Sequence, residues 1–425
     1  MALLSKFSNQ YWTIRMFLQF KKSSIAIVTG VIFTLVPKID ATESFSAYLF
    51  AYFTGNDKSQ EAICFALSDN GYDYKEINDG KPVVSSAAIS STGGVRDPHI
   101  LRGENNDYYM VATDMVSANG WASNRAMVLL RSTNLTDWTS SVVNIPQTYS
   151  AFSAADRVWA PQTIFDPSVG KYMVYFSMRL GSADVDKIYY AYANSTFTAL
   201  ESAPKLLFTN NGLSTIDADI ILKDSTYYLF FKTEGNGNGI KSALSSKLTS
   251  GYVLYDKYLQ QTTAAVEGSC VFKLINSSSY ILMYDMYTSS KYQFTISTDL
   301  KNFTVAPTAC SFDFTPRHGT VIPITSAEKQ ALNVKWNQTQ VLPNQKKQLL
   351  QISPFVSNGV LHLGAETSVS DITVLLYDLS GKEIIHQTIS NAGSPIRISG
   401  LSSGVYELHC ITKTCKLSST RVFVR

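Results

Sequence analysis

The chain has 425 residues, 45% of them hydrophobic, enough for at least one large core and, by length, for two domains. Its 36 basic and 33 acidic residues leave a net charge of only +3, and no basic block is interleaved with aromatics, so nothing points to a nucleic-acid partner. Tyr and Phe are abundant (24 and 22) and charged residues make up 16%, a bias toward strands because aromatic and β-branched side chains fit a pleated surface.

At the N-terminus, Arg15, Lys21 and Lys22 precede an apolar run from Ser24 to Val36 that Pro37 closes. This is the charged region and short apolar core of a secretory signal, with cleavage expected near Ala41. Residues 1–41 are therefore expected to be a signal peptide, and Met16 could be the true start. The run is shorter than the roughly 20 apolar residues of a membrane span, so no stable span is expected. The five cysteines (Cys64, Cys270, Cys310, Cys410, Cys415) have no CxxC or Cys/His spacing, which argues against a zinc site. Cys410 and Cys415 could pair.

Further along, one pattern recurs. Tyr-rich strands are expected at Tyr108–Val111, Tyr172–Tyr175, Tyr227–Phe230 and Tyr280–Met283. A Ser/Asn-bearing strand end follows each of them, at Ser132–Trp138, Asn194–Phe197, Ser245–Leu248 and Ser297–Phe303, and Ser68–Tyr74 supplies an upstream fifth copy. Copies lie roughly 50–65 residues apart, longer than a typical four-stranded blade repeat of about 40–50, the excess fitting functional loops. Trp138, which recurs with Phe197 and Phe303, reads as core. Five such units predict an all-β fold, a five-bladed β-propeller over residues 42–336. The fifth copy is split: its outer strands come from Tyr48–Ile77 and its innermost strand from Gly319–Ile324, which would close the ring without an open edge. A β-sandwich has similar strand content but does not predict repeats split across the ends.

Aligned on their Tyr partners, the innermost strands begin Val95-Arg96-Asp97-Pro98, Val158-Trp159-Ala160-Pro161, Ile216-Asp217-Ala218, Val266-Glu267-Gly268 and Arg317-His318-Gly319. The matched position holds Asp97, Ala160, Asp217, Glu267 and His318, so three carboxylates and a histidine are expected on one rim. Like charges in a partly dry site raise one another's pKa, and a cluster that bears this cost suggests acid–base work. Strand-start capping is the bland reading of each acid alone. Asp166 lies after its inner strand and reads as a hairpin turn residue. Asp219 should share the strand face of Asp217. Trp121, in the loop Ser117–Arg125, and Trp159 are candidate stacking platforms for a ligand, with Arg125 and Arg317 as further substrate-binding candidates.

Taken together in this order, Arg96–Ile100, Val158–Gln162, Ile216-Asp217, Val266–Gly268 and Arg317–Gly319 resemble glycoside hydrolase family 43. The resemblance implies Asp97 as general base, Glu267 as general acid, and Asp217 as the residue that tunes and orients the acid. It also implies inversion, in which base and acid stand roughly 6.5–9.5 Å apart to admit a water. His318 resembles an axial histidine that faces a water-filled channel holding a cation, often calcium, bound through water. No cofactor is required. Gln162 and Ala218 depart from the commoner residues of the family, which leaves the substrate open. The expected function is that of a secreted α-L-arabinofuranosidase acting on plant cell-wall polysaccharide. β-Xylosidase and exo-β-1,3-galactanase are alternatives on the same fold, and a non-catalytic glycan-binding propeller is the alternative of another class.

After Trp336 the character changes. A polar linker (337–350) leads to alternating strands with Ser-Gly turns, expected as a small β-sandwich over 351–425. Leu379-Ser380-Gly381-Lys382 followed by Gly404-Val405-Tyr406 resembles the C-terminal sorting domain of the type IX secretion system. That resemblance implies contact with the secretion machinery and a secreted or cell-surface location; a carbohydrate-binding module is the other reading of the tail.

Overall fold

A computed structural model describes residues 44–235, 238–336, 352–365, 370–378, 382–391, 393–411 and 420–424. The expected signal peptide, the linker and Cys415 lie outside these residues. The chain is all-β.

Five sheets succeed one another between Phe45 and Thr325. Four are built in chain order, beginning at Val95–Arg102, Ala155–Asp166, Thr215–Lys223 and Glu267–Lys273. The remaining sheet draws on both ends of the region: Phe45–Phe53 pairs antiparallel with Arg317–Thr325, with Leu49 opposite Ile322. The strands Val95–Arg102, Ala155–Asp166, Thr215–Lys223, Glu267–Lys273 and Arg317–Thr325 each contact the next, and the last contacts the first.

The Tyr-rich strands are buried on both faces, which is why they read as near-continuous apolar runs. In Tyr108–Asp114 the pleat sends Tyr108, Met110 and Ala112 into a core shared with Leu49 and Phe65. Tyr109 and Val111 point the other way, toward Val174 and Phe176. Five apolar cores of this kind lie between successive sheets, the last returning from Phe272 and Met283 to Phe50 and Tyr52.

The recurring Ser/Asn elements are turns. Ser132 Oγ accepts from the Leu135 N–H, while Asn134 Oδ1 accepts from Thr136 and Asp137 N–H. Ser68/Asn70 and Ser297/Asp299 repeat this arrangement. The hydrogen bonds hold Gly71, Leu135 and Leu300 at φ 78°, 67° and 60°, a left-handed conformation that needs such local support in a leucine. Trp138 donates from Nε1 to the Leu135 carbonyl and packs against the first core.

In the tail, a three-stranded and a four-stranded sheet share one core that includes Leu361, Val374, Leu376 and Leu408.

Gly319 sits where the two ends pair, opposite Tyr52. A Cβ there would lie 2.0 Å from the Ala51 carbonyl oxygen and 2.8 Å from Tyr52 Cα, both backbone atoms. Gly319→Ala should therefore force the closing pair apart and lower stability by about 1–3 kcal/mol or more. Thermal unfolding checks this; an unchanged midpoint would contradict it.

Candidate active site

Every one of the five contacting strands carries an extra residue near its start, and Ala155–Asp166 has a second between Ala155 and Arg157. In the first, Arg96 is opposite Thr113 but His99 is opposite Val111. The same break follows Trp159, Ile216 and Glu267, and the last strand has it between Arg317 and Gly319. The residue after the break has positive φ in four strands: Asp97 51°, Ala160 42°, Asp217 52° and Gly268 61°. Such a bulge re-aims side chains where a regular strand would alternate them. Here it brings two consecutive residues to one cavity of about 400 Å³, which Arg96 and Asp97, Ile216 and Asp217, and Arg317 and His318 all line. Trp159 and Glu267 line it too.

The register corrects the sequence alignment at one point. Glu267 is not level with Asp97 and Asp217; Gly268 is their counterpart, and Glu267 is level with Arg96, Trp159, Ile216 and Arg317. Sterics explain why glycine takes the lower position. A Cβ on Gly268 would fall 2.7 Å from His318 Cγ, so any side chain there would displace the imidazole. The freed Gly268 N–H donates to Asp217 Oδ2 at 3.0 Å, tying the backbone beside Glu267 to the neighbouring acid.

His318 organises the lower level. Its Nδ1 lies 3.4 Å from Asp97 Oδ1 and 4.0 Å from Asp217 Oδ2. Burial works against the imidazolium, but Asp217, Asp97 and Glu267 outweigh it and raise the His318 pKa to about 9. Burial likewise opposes the Asp97 carboxylate. The His318 hydrogen bond and charge, Arg96, and the 2.8 Å hydrogen bond from Thr113 Oγ1 nevertheless hold Asp97 below its ordinary value. Asp217 goes the other way. Burial, helped by the charges of Glu267 and Asp97, pushes it up to about 6 against His318 and Lys232. Two carboxylates that flank the same imidazole thus have opposed tendencies. Asp219, farther down the same strand, is pushed by burial to about 7 although the Val271 N–H donates to its Oδ2.

Glu267 is held by two cations. Arg317 Nη2 donates to Oε1 at 2.6 Å, and Lys232 Nζ donates to Oε2 at 3.3 Å. Lys232 is almost wholly buried and also pairs with Glu234. Trp121, half exposed, and Trp159 meet edge to face at 6.3 Å, backed by Arg96 and Arg157 over their rings.

Arg125 does not join them. It is absent from the cavity lining, and its Nη1 donates to the carbonyls of Ala122, Asn124 and Asp156, so its role here is to brace the loop. Asp166 ends its strand and accepts from Ser168 and Tyr192, away from the cavity. Among the described residues no group of three or more His, Cys, Asp or Glu is arranged to hold a metal directly, and His318 Nδ1 faces Asp97 Oδ1.

Sequence reasoning missed Thr113, Lys232 and Asp285, which stand directly opposite Arg96, Ile216 and Glu267. A signal was present. Each is the fifth residue after the first Tyr of its Tyr-rich strand (Tyr108, Tyr227, Tyr280), where the apolar run turns polar.

Residues 43–330 match the family described as "Probable glycosyl hydrolase domain", and residues 343–424 the one described as "Secretion system C-terminal sorting domain". An α-L-arabinofuranosidase of Bifidobacterium longum subsp. longum is 29% identical over 225 residues, 45% of this chain. The match spans 20% of that protein's length. Among solved structures, a xylan β-1,4-xylosidase from Bacillus halodurans is 12% identical, with 90% of this chain and 89% of that one covered at a TM-score of 0.48. An α-L-arabinofuranosidase from Clostridium thermocellum is also 12% identical, with 59% and 85% covered at 0.45.

The raised His318 pKa contributes stability that is fully present below about 6.5 and is lost as pH rises through about 9. The thermal midpoint of the wild type should therefore fall between pH 7 and 9, and His318→Gln should flatten that decline. Equal slopes in the two proteins would contradict the assignment.

Proposed function

The chain belongs to the glycosyl hydrolase domain family related to glycoside hydrolase family 43, and from that premise we propose that it is an inverting glycoside hydrolase, most simply an α-L-arabinofuranosidase. The observation that carries the reading is the meeting of Asp97, Asp217 and Glu267 on one sugar-sized cavity beside Trp121 and Trp159. The sorting domain directs the chain out of the cell or to its surface. No described helix is long and apolar enough to cross a membrane.

In this reading Asp97, kept ionised by His318, Arg96 and Thr113, takes a proton from a water as that water attacks the anomeric carbon. Glu267 delivers its proton to the glycosidic oxygen on the opposite face as the carbon–oxygen bond breaks. Asp217, bonded to the Gly268 N–H, fixes the backbone next to the acid and keeps a negative charge beside it. Trp121 and Trp159 offer apolar faces to the ring, and Arg317 stands within reach of its hydroxyls. The chemistry needs no cofactor. We read the five sheets, with their cyclic contacts, as the blades of a five-bladed propeller and the two tail sheets as a small β-sandwich. Residues 42–336 and 351–425 would then be the catalytic and sorting domains, and the type IX machinery the export partner. The substrate is plant cell-wall polysaccharide; the similarity to the Bifidobacterium arabinofuranosidase over 225 residues supports arabinose as the sugar released.

Nitrophenyl α-L-arabinofuranoside, β-xyloside and β-galactoside, together with arabinan and arabinoxylan, form the test panel. Hydrolysis should be fastest on the arabinofuranosides, and Asp97→Asn should reduce it by about 10²–10⁴-fold. Preference for the xyloside or galactoside would replace the sugar but keep the chemistry. Binding without turnover across the panel would sink the enzymatic reading.

A further inference from the structure

Three arginines line the cavity, and each is backed by a buried carboxylate. Arg96 Nη1 donates to Glu61, Arg157 Nη1 to Asp186 and Arg317 Nε to Asp285, at 2.9, 2.9 and 2.5 Å. Each of these carboxylates has a second oxygen that is buried and has no partner among the described residues. A buried charge with a bare oxygen is costly, and a well-packed apolar side chain often serves the fold as well. The three carboxylates therefore fix the cavity's guanidinium groups.

Of the three arginines, Arg317 alone also donates a hydrogen bond to a carboxylate of the proposed acid–base set. Arg317 arrives from the closing strand and bridges two residues of the preceding sheet, Asp285 through Nε and Glu267 through Nη2 at 2.6 Å. Those two stand opposite each other across adjacent strands. Asp285 is 0% exposed and does not line the cavity, so it cannot touch a sugar. Arg317 has a long, flexible stem, and its second anchor is what confines its planar fork to one orientation. On the other side of Glu267, Lys232 is a point charge at 3.3 Å and sets direction less sharply.

We propose that Asp285 is a positioning residue for the reaction, holding Arg317 so that Arg317 fixes the Glu267 carboxyl group for proton delivery to the glycosidic oxygen. The inference rests on the acid role given to Glu267 above. A purely structural Asp285 would affect all substrates alike, whereas a role through the acid must depend on the leaving group. A 2,4-dinitrophenolate departs without a proton, and a methoxide does not.

The test compares Asp285→Asn, which keeps the shape and loses the charge, on methyl and 2,4-dinitrophenyl α-L-arabinofuranosides, or on the glycosides of whichever sugar the panel selects. The expected result is a fall in kcat of about 10–100-fold on the methyl glycoside, with KM within about threefold, and a fall of less than about threefold on the dinitrophenyl glycoside. Equal losses on both, or no loss on either, would overturn the proposal. Circular dichroism and the thermal midpoint accompany the kinetics. If Asp285→Asn does not fold, Asp285→Glu keeps the charge while displacing it by one methylene and is expected to show the same selectivity. Glu267→Gln separates the two levels. Selectivity in Glu267→Gln without selectivity in Asp285→Asn defeats this inference alone. No selectivity in Glu267→Gln defeats the acid assignment, and this inference falls with it.

Discussion

The arrangement depends on one extra residue at the start of each contacting strand. A regular strand sends neighbouring side chains to opposite faces, so one inner strand could offer only one residue per level to an axial cavity. The bulge after Arg96, Trp159, Ile216, Glu267 and Arg317 removes that limit and stacks two levels of side chains at the same mouth. Its cost is left-handed backbone at Asp97, Ala160 and Asp217, residues without glycine's freedom. The surrounding hydrogen bonds meet that cost: Ala160 N–H donates to Thr113 Oγ1, the same hydroxyl that donates to Asp97.

Once two levels exist, the charges sort themselves by height. The lower level has Asp97 and Asp217 around His318, and Gly268 leaves the space that the imidazole occupies. The upper level has Glu267 between Arg317 and Lys232. The lower level could not persist with its acids alone, because buried like charges raise one another's pKa until some are neutral. The cations let Asp97 stay ionised at the pH where Asp217, pushed up to about 6, is close to titrating. Burial supplies the largest contribution in each case, and the neighbours decide its outcome.

Much of this was legible from the residues. Near-continuous apolar, Tyr-rich strands with a polar Ser/Asn turn after them repeat often enough to reveal the units, and the pairing of Phe45–Phe53 with Arg317–Thr325 follows from the split copy. Asp97, Asp217, Glu267, His318, Trp121, Trp159 and Arg317 do reach one cavity. The level of Glu267 was not legible, because an insertion of one residue in a hydrogen-bond ladder leaves no mark in composition or spacing, and an acid aligned with acids is the natural choice. The partners of Arg125 were not legible either: a loop arginine near Trp121 gives no sign in the sequence that its guanidinium donates to the Ala122 and Asp156 carbonyls. Lys232 and Asp285 mark where their apolar strands turn polar, but only the structure shows that Asp285 stands opposite Glu267 and that Lys232 reaches it from the neighbouring sheet.

The division of labour between Asp97 and Glu267 has a stereochemical consequence that neither stability nor rate alone reveals. If Asp97 activates water on the face opposite the bond that Glu267 protonates, the configuration at the anomeric carbon must invert. Proton NMR of an α-L-arabinofuranoside during the first turnovers reads this directly. The β-configured arabinofuranose should appear first and the α form only later, by mutarotation. Appearance of the α product first would contradict the assignment of Asp97 as the base.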